Sequence, residues 1–355
     1  MVEAKVFDGP GAPKKLAEGC ILGVGNPLLD VMAHCPQEIL DKYGLKPSDG
    51  ILAEEKHLPI YEELVNNFDV QYVAGGATQN SIRVAQWMSQ SEKATGFLGA
   101  VGKDDFGAQL KKACEDAGVT QHYYETSEAP TGVCAVVVHE KERTMVTRLD
   151  AANCYKHEHT LSEAVKAVIE KAQIYYIASF FLTVPEGPQT IDYVAKHAAE
   201  NSKIFAMNLS APFLIDFFAE QMNKALPYTD FVFANETEAE TFAKKQGWDC
   251  DLVEAALRLS AMPKVSGARP RTVVFSQGSE PTIVAFNGEV TLYPVPKLNF
   301  DLLVDTNGAG DAFVGGFLAR LAAGFPLAEC VRSGHYAARV IIQRSGCTTP
   351  EQPDI

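Results

Sequence analysis

The sequence has no excess of basic residues and no long apolar segment. Its 355 residues carry 31 Lys and Arg against 45 Asp and Glu, a net charge of −14, so it lacks the basic face that general binding to nucleic acid or an anionic membrane requires. The longest nearly apolar run, Ile174 to Val184, is too short to span a bilayer. The first residues, MVEAKVFDGPGAPKK, contain no apolar core of a signal peptide. We therefore expect a cytoplasmic protein, with the nucleus as an alternative location, that binds neither nucleic acid nor membrane.

The sequence also lacks the cysteine and glycine patterns of several common sites. Its eight cysteines form no CxxC pair and no Cys/His cluster with zinc spacing, which favours free thiols in a reducing compartment. No GxxxxGK[ST] segment is present, so a P-loop enzyme is excluded. The segment GVGNPLLD begins like a dinucleotide-binding fingerprint, but Leu28 stands at the third glycine position and Pro27 in the turn. An NAD-linked dehydrogenase is therefore a weak alternative.

Apolar runs that alternate with amphipathic segments make up most of the chain. The runs that predict buried strands are CILGVG, ATGFLGAV, IYYIASF, KIFAMNL, FVFAN and TVVFSQG. The segments with apolar residues at helical spacing are 80–88, 106–117, 161–172 and 188–199. Strands that are apolar on both faces and alternate with helices predict an α/β fold with a mostly parallel central sheet flanked by helices.

Two regions interrupt this alternation. We expect a loose head over residues 1–19 and one α/β domain over 20–355, with inserted segments at about 31–73 and 131–150. The second segment, TGVCAVVVHEKERTMVTRLD, predicts a hairpin with a charged turn from His139 to Glu142. Adjacent β segments inserted in a βα chain predict a small β-sheet that stands off the main domain and serves as a lid.

The segment DTNGAGDAFVGGFLARL, Asp305 to Leu321, predicts an anion site. We interpret 302–305 as a strand, 306–310 as a turn and Asp311 onward as a helix. Gly308 and Gly310 allow unusual backbone angles and close approach. The amides of Ala309, Gly310 and Asp311 would then point out of a helix N-terminus, where unpaired N–H groups and the helix dipole attract an anion.

Asp311 has two interpretations. It is a common type of residue for a first helical turn, where it stabilises the helix. Beside an anion site, a carboxylate can also orient an attacking hydroxyl and take its proton, and the combination fits phosphoryl transfer. We expect the helix end to lower the pKa of Asp311 and to make it a weak base.

Several motifs occur in a fixed order along the chain. They are GNPLLD at 25–30, GGATQNS at 75–81, NLSAPF at 208–213, NETEAETF at 235–242, GAGD at 308–311 and GHYAA at 334–338. In these motifs the chain, from about Cys20 to its end, resembles the ribokinase-like (PfkB carbohydrate kinase) family, especially its nucleoside-phosphorylating members. The resemblance implies a ribokinase-like fold with a lid, and transfer of the ATP γ-phosphoryl group to the 5′-hydroxyl of adenosine with Mg²⁺, giving AMP and ADP. A kinase of another nucleoside or a sugar, and an inactive nucleotide sensor, remain alternatives.

The resemblance also assigns residues to the acceptor. Asp30 would bind the ribose 2′- and 3′-hydroxyls, because one carboxylate can accept from a vicinal diol. Phe180 would stack on adenine. The other implied contacts to sugar, base or lid are Asn26, Leu52, Gly75, Gly76, Ala77, Asn80, Cys134 and Met145. Without the resemblance these residues fit turns or core. Ala77 replaces a serine common in the family and Gly50 a glutamine, so the base contacts differ in detail.

Further residues are implied for the donor. Asn235 and Glu238 form an NxxE pair in which Glu238 would hold Mg²⁺ through water, although the same pattern also predicts a helix cap. Arg148 would swing over the phosphates when the lid closes. Gln277, Gly278, Asn307 and His335 would line the ATP side. We expect a monomer whose partners are adenosine and ATP.

Overall fold

A computed structural model describes residues 15–47, 49–140 and 142–354. Residues 1–14 of the expected head, and Lys141 in the expected hairpin turn, lie outside the described residues. The strands are β1 (Ile21–Val24), β2 (Leu28–His34), β3 (Gly50–Leu52), β4 (Val70–Gly75), β5 (Thr95–Gly102), β6 (Thr120–Thr126), β7 (Val133–His139), β8 (Glu142–Arg148), β9 (Ile174–Ala178), β10 (Ile204–Asn208), β11 (Phe231–Asn235), β12 (Thr272–Gln277), β13 (Glu280–Phe286) and β14 (Glu289–Tyr293).

The helices occupy most of the remaining described chain. They are α1 (Gln37–Tyr43), α2 (Pro59–Asn67), α3 (Ala77–Ser89), α4 (Asp105–Asp116), α5 (His157–Thr160), α6 (Glu163–Lys171), α7 (Gly187–Glu200), α8 (Pro212–Phe217), α9 (Ala219–Ala225), α10 (Glu236–Lys245), α11 (Leu252–Ala261), α12 (Ala309–Ala322) and α13 (Leu327–Ile341). Within the described ranges, no helix combines the length and apolarity needed to cross a membrane.

A nine-stranded sheet forms the centre of the molecule, in the order β14-β13-β12-β11-β10-β9-β1-β5-β6. Its strands from β12 to β6 are parallel, and β13 and β14 join antiparallel at one edge. Along β9, Ile174 and Tyr176 belong to one core cluster and Tyr175 and Ile177 to another. Because successive side chains point to opposite faces, both faces of the sheet are buried. The predicted parallel sheet, with all six predicted strands, is confirmed.

Two glycines explain how α12 approaches its neighbours. A Cβ on Gly315 would lie 2.5 Å from the Ser81 carbonyl oxygen of α3, and one on Gly316 would lie 2.9 Å from Ala337 Cβ of α13. Both distances are below van der Waals contact, so side chains here would push the helices apart. Close packing therefore sets the N-termini of α3 and α12 side by side at the carboxyl edge of the large sheet.

A second sheet of five strands, in the order β3-β8-β7-β2-β4, lies over that edge. We call it the smaller sheet. It contains the expected hairpin β7–β8, and its first segment extends from Leu28 to Gly75, wider than the predicted 31–73. Met32 and Val73 of this sheet lie against Gly346 in the loop after α13. The chain itself also connects the two sheets, because only residues 25–27 separate β1 of the large sheet from β2 of the smaller sheet.

The strand predicted at 302–305 is wrong. The chain forms a short 3-10 helix at Phe300–Leu302, and Leu302 and Val304 are 49% and 51% exposed. The amides of Val304 and Asp305 both donate to the Ile342 carbonyl, at 2.9 and 3.1 Å. These two amides therefore bond to the end of α13 and not to a neighbouring strand. The segment is an irregular loop, and α12 begins after it.

Candidate active site

A cavity of about 350 Å³ lies where the smaller sheet covers the carboxyl ends of the parallel strands. Its wall includes residues at the ends of β9, β10 and β11 and at the N-termini of α3, α10 and α12. The predicted site residues that line it are Asn26, Asp30, Leu52, Gly76, Ala77, Asn80, Cys134, Met145, Phe180, Asn235, Glu238, Asn307, Gly308, Gly310 and Asp311. Ligands of open α/β sheets bind at this edge.

The N-terminus of α12 presents free backbone donors to this cavity. Gly308 is the N-cap in the left-handed region, with φ 74°. The amides of Gly310 and Asp311 have no hydrogen-bond partner in the described part of the chain. The Ala309 amide instead donates to the Thr306 carbonyl at 3.2 Å, so the anion site has fewer free amides than the three expected. Two such donors at a helix N-terminus still attract an anion.

Asp311 lies beside these amides and is held by Asn80. The Asn80 Nδ2 group donates to Asp311 Oδ2 at 3.0 Å. Burial raises the pKa of Asp311 to about 6, and the Asn80 hydrogen bond opposes this shift. The expectation of a lowered pKa is wrong, because burial of the carboxylate disfavours its charged form. Asp311 is therefore a better base than expected and still ionised at neutral pH.

Asp30 forms a second polar part of the wall. Burial raises the pKa of Asp30 to about 7, with nearby Arg143 opposing the shift and Asp311 adding to it. Gly75 does not line the cavity, but a Cβ there would lie 2.5 Å from Asp30 Oδ2, so glycine makes room for the carboxylate. Carboxyls with raised pKa values clustered in one cleft are typical of functional sites.

Two buried acceptors in the same cavity wall lack donors. Asn26 donates from Nδ2 to the Phe180 carbonyl at 3.3 Å, but its Oδ1 atom has no partner among the described atoms. Asn80 Oδ1 is likewise unpartnered within the described ranges. An unpaired buried acceptor is costly unless a ligand or water donates to it. The arrangement of acceptors suits a ligand with several hydroxyl groups.

The cavity also has an apolar part. Phe180 lies there with Leu52, Cys134 and Met145, as the resemblance implies. Sequence analysis missed Phe213, whose ring centroid lies 6.2 Å from that of Phe180. Phe213 ends the motif NLSAPF, so the motif contained the signal. A flat, mostly apolar ligand group can pack against such rings.

Asn235 and Glu238 line the cavity and also cap α10. Asn235 Oδ1 accepts from the Glu238 amide at 2.8 Å, and Glu238 Oε2 accepts from the Asn235 amide at 3.0 Å. Burial raises the pKa of Glu238 to about 7, against hydrogen bonds from the backbone of Asn235 and Ser210. Within the described residues, no group of three or more His, Cys, Asp or Glu side chains is placed to hold a metal ion. A metal would need most of its ligands from water and a bound ligand.

Three of the predicted donor residues do not line the cavity. Gln277 Nε2 donates to the Pro281 carbonyl at 2.5 Å, within the β12–β13 hairpin that also contains Gly278. His335 Nε2 shares a hydrogen bond of 2.8 Å with Thr282 Oγ1, and burial lowers its pKa. The His335 ring lies 5.5 Å from Phe313, which is part of the wall, so His335 stands behind the site.

Arg148 is also absent from the cavity wall. Its Nε atom lies 2.5 Å from Asp150 Oδ2, and its guanidinium lies 4.9 Å from the centroid of the Tyr61 ring. The swing of Arg148 over the phosphates therefore stays a prediction that would require both contacts to break.

Comparison with known proteins places the chain in a family. The sequence profile described as pfkB family carbohydrate kinase matches residues 38–355. The chain is 54% identical to Adenosine kinase 1 of Arabidopsis thaliana over 95% of this chain and 98% of that protein. The crystal structure of Anopheles gambiae adenosine kinase with P1,P4-di(adenosine-5) tetraphosphate superimposes with a TM-score of 0.90 at 43% identity, covering 94% of this chain and 98% of that one.

A second solved structure agrees. Adenosine kinase from Schistosoma mansoni in complex with 2-fluoroadenosine superimposes with a TM-score of 0.89 at 35% identity, again over 94% and 98% of the two chains. The sequence match covers 95% of this chain, and both superpositions cover 94% of it. The chain therefore belongs to the PfkB family of carbohydrate kinases.

Proposed function

We propose that this protein transfers the γ-phosphoryl group of ATP to the 5′-hydroxyl of adenosine, producing AMP and ADP for purine salvage. Its relatives in the family are adenosine kinases. The observation that carries the proposal is the position of Asp311, which lies beside two free amides at a helix N-terminus in the same cavity as the unpaired acceptors. One cavity thus contains a base, an anion site and a site for hydroxyl groups.

The acceptor sugar binds to the polar wall. The Asp30 carboxylate accepts hydrogen bonds from the 2′- and 3′-hydroxyls. The Oδ1 atoms of Asn26 and Asn80 accept further hydrogen bonds from hydroxyl groups or from the base. The base lies in the apolar part, against Phe180 and Phe213. This orientation leaves the 5′-hydroxyl near Asp311.

The donor phosphates bind at the start of α12. The Gly310 and Asp311 amides stabilise charge on the transferred group, while Asp311 orients the 5′-hydroxyl and accepts its proton late in the reaction. Mg²⁺, when bound, would neutralise charge on the ATP phosphates. Glu238, which lines the cavity, would hold it through a bound water.

The smaller sheet serves as the lid in this proposal. It contributes Asp30, Leu52, Cys134 and Met145 to the wall, so the acceptor is bound between the two sheets. Closure over the acceptor excludes water that would otherwise take the phosphoryl group. We further propose a monomer. A cytoplasmic location fits the eight cysteines, which are all free thiols.

A substrate panel tests the proposal. ADP release, measured by a coupled assay, is expected with adenosine at a higher kcat/KM than with inosine, guanosine or ribose, because ribose lacks the group that fills the apolar part of the cavity. A higher kcat/KM for ribose or another nucleoside would support the alternative kinases instead. Tight ATP binding with no ADP release from any acceptor would support a nucleotide sensor.

A further inference from the structure

Ser210 lies in the wall of the cavity and has a backbone conformation that favours glycine. Its φ is 71°, in the left-handed region that costs free energy for a residue with a side chain. Seven non-glycine residues have a positive φ in the part of the chain that the structure describes, and Ser210 alone among them lines the cavity. Such a conformation persists only where surrounding contacts hold it, and it is common at functional sites.

The Ser210 hydroxyl does not cap the helix that follows it, although serine just before a helix is often the cap. Helix α8 begins at Pro212, its N-cap is Ala211, and no side chain accepts from its first amides. Ser210 Oγ instead accepts from the Ser179 amide at 2.9 Å and donates to the Asn208 carbonyl at 3.0 Å. The hydroxyl therefore connects the end of β10 to a segment 31 residues earlier in the chain.

The Ser179 amide requires a partner from outside its own segment. Ser179 begins a short 3-10 helix, Ser179–Thr183, and the first amides of a helix have no acceptor within it. The N-cap is Ala178, which has no side-chain acceptor to offer. Ser179 is completely buried, so water does not replace the missing acceptor and an unpaired amide would be costly. Ser210 thus caps, from the neighbouring strand end, the short helix that contains Phe180.

The position of Phe180 depends on these bonds. Its carbonyl accepts from Asn26 Nδ2 at 3.3 Å and from Thr183 Oγ1 at 2.8 Å, which hold the backbone after the ring. The bond to Ser210 holds the backbone just before the ring. Phe213, whose ring centroid lies 6.2 Å from that of Phe180, follows Ser210 by three residues. One serine therefore ties together the two segments that carry the aromatic rings of the cavity.

We propose that Ser210 is a positioning residue for the adenine base: by capping the Ser179 amide from the end of β10, it holds Phe180 at the spacing from Phe213 that the base requires. The inference deepens the proposed function and rests on it, because it takes the nucleoside base as the group that packs against these rings. Asp30 and the N-terminus of α12 lie on other elements, so sugar binding and phosphoryl transfer do not depend on this bond.

Steady-state kinetics of the full chain test this role with two variants. Ser210→Ala and Ser210→Gly both remove the hydroxyl, and only glycine also relieves the strained φ. In both, the KM for adenosine should rise about tenfold, because binding must reorder a helix whose buried amide is unpaired. The kcat and the KM for ATP should stay within about twofold, as expected when only acceptor binding is lost.

Two results would overturn the inference in this experiment. A normal KM in Ser210→Gly would show that backbone strain, and not the hydroxyl, accounts for any change in Ser210→Ala. A fall in kcat at an unchanged KM for adenosine would show that Ser210 only keeps the protein folded, since partial unfolding reduces the active fraction and leaves the affinity of the folded molecules as it was.

A double-mutant cycle with Phe180→Ala tests whether Ser210 acts through the ring. Once the ring is absent there is nothing left to position, so adding Ser210→Ala to Phe180→Ala should raise the KM for adenosine by less than about twofold. An equal tenfold rise in both backgrounds would mean that Ser210 acts on something other than Phe180, and the inference would fail.

The chain offers a matched control at the other end of the same strand. Ser202, with φ 55°, precedes β10, whereas Ser210 follows it, and Ser202 is exposed and absent from the cavity wall. Ser202→Ala makes the same chemical change on a similarly strained backbone and should leave the KM for adenosine unchanged; a matching rise would overturn the inference. An unmodified protein that makes no AMP defeats the proposed function, whereas normal turnover with an unchanged KM in Ser210→Ala defeats only the inference.

Discussion

Replacing Asp311 by asparagine should impair catalysis and, at neutral pH, stabilise the protein. Asparagine keeps an oxygen that accepts the 3.0 Å hydrogen bond from Asn80, so the local geometry is retained. It removes the proton acceptor, and loss of a general base costs about 10²- to 10⁴-fold in turnover. Adenosine affinity should change little, because Asp30 and the apolar wall still bind the nucleoside.

The stability gain follows from the pKa of Asp311, which burial raises from 3.8 to about 6. Between these two values the folded protein binds a proton that the unfolded chain has released, so stability falls as pH rises through this window. The full shift corresponds to about 3 kcal/mol, and the opening of the cavity to water reduces it to about 1–3 kcal/mol. Asparagine avoids this cost at pH 8, whereas at pH 4 the native carboxyl is already protonated and the gain is small.

Two assays check these expectations. Urea unfolding of the ligand-free protein at pH 8 and pH 4 measures the gain in the free energy of unfolding, and ADP release with saturating adenosine measures turnover. Turnover within tenfold of the unmodified protein would remove Asp311 from the role of base. An equal change in stability at both pH values would show that the carboxylate is not desolvated as described.

Three further predictions follow from the same site. Asp30→Asn should weaken adenosine about 10- to 100-fold through the loss of charge-assisted hydrogen bonds, with ATP-analogue affinity in the absence of adenosine unchanged; calorimetry that finds normal adenosine affinity would contradict the diol contact. The kcat/KM for adenosine should fall as pH drops through about 7 and then about 6, where first Asp30 and then Asp311 take up a proton, and a profile flat down to pH 5 would contradict both assignments. Gly315→Val should cost about 1–3 kcal/mol of stability by overpacking, because a Cβ there meets the Ser81 carbonyl at 2.5 Å, and an unchanged urea midpoint would contradict the close approach of α12 to α3.

The architecture was predictable because its signals are local. The runs that form β9 and β10 are apolar at consecutive positions, whereas a strand with one face in solvent alternates apolar and polar residues. Because these runs also alternate with helices, a parallel sheet covered on both faces is the consistent arrangement. The glycine-rich turn with Asp311 at its end also predicted an anion site beside a carboxylate. These features depend on residues that are neighbours in the chain.

The two arginines of β8 show which contacts cannot be predicted from neighbouring residues in the sequence. Arg143 and Arg148 lie five positions apart on β8, and an odd separation places them on opposite faces of a strand. Arg143 meets Asp305, and Arg148 meets Asp150 and Tyr61. Sequence analysis selected Arg148 for the phosphates, because the strand pattern does not tell which face is turned to the core.

The sequence by itself determined the alternating strands and helices and the glycine-rich turn that places Asp311 at a helix N-terminus, since each follows from short-range sterics and hydrogen bonding. Only the tertiary structure decided that residues 302–305 form no strand, that His335 stands behind Phe313, and that the pKa of Asp311 rises instead of falling. Each of these outcomes depends on desolvation, or on partners such as Ile342 and Thr282 that lie far along the chain, and such contacts exist only once the sheets and helices have packed together.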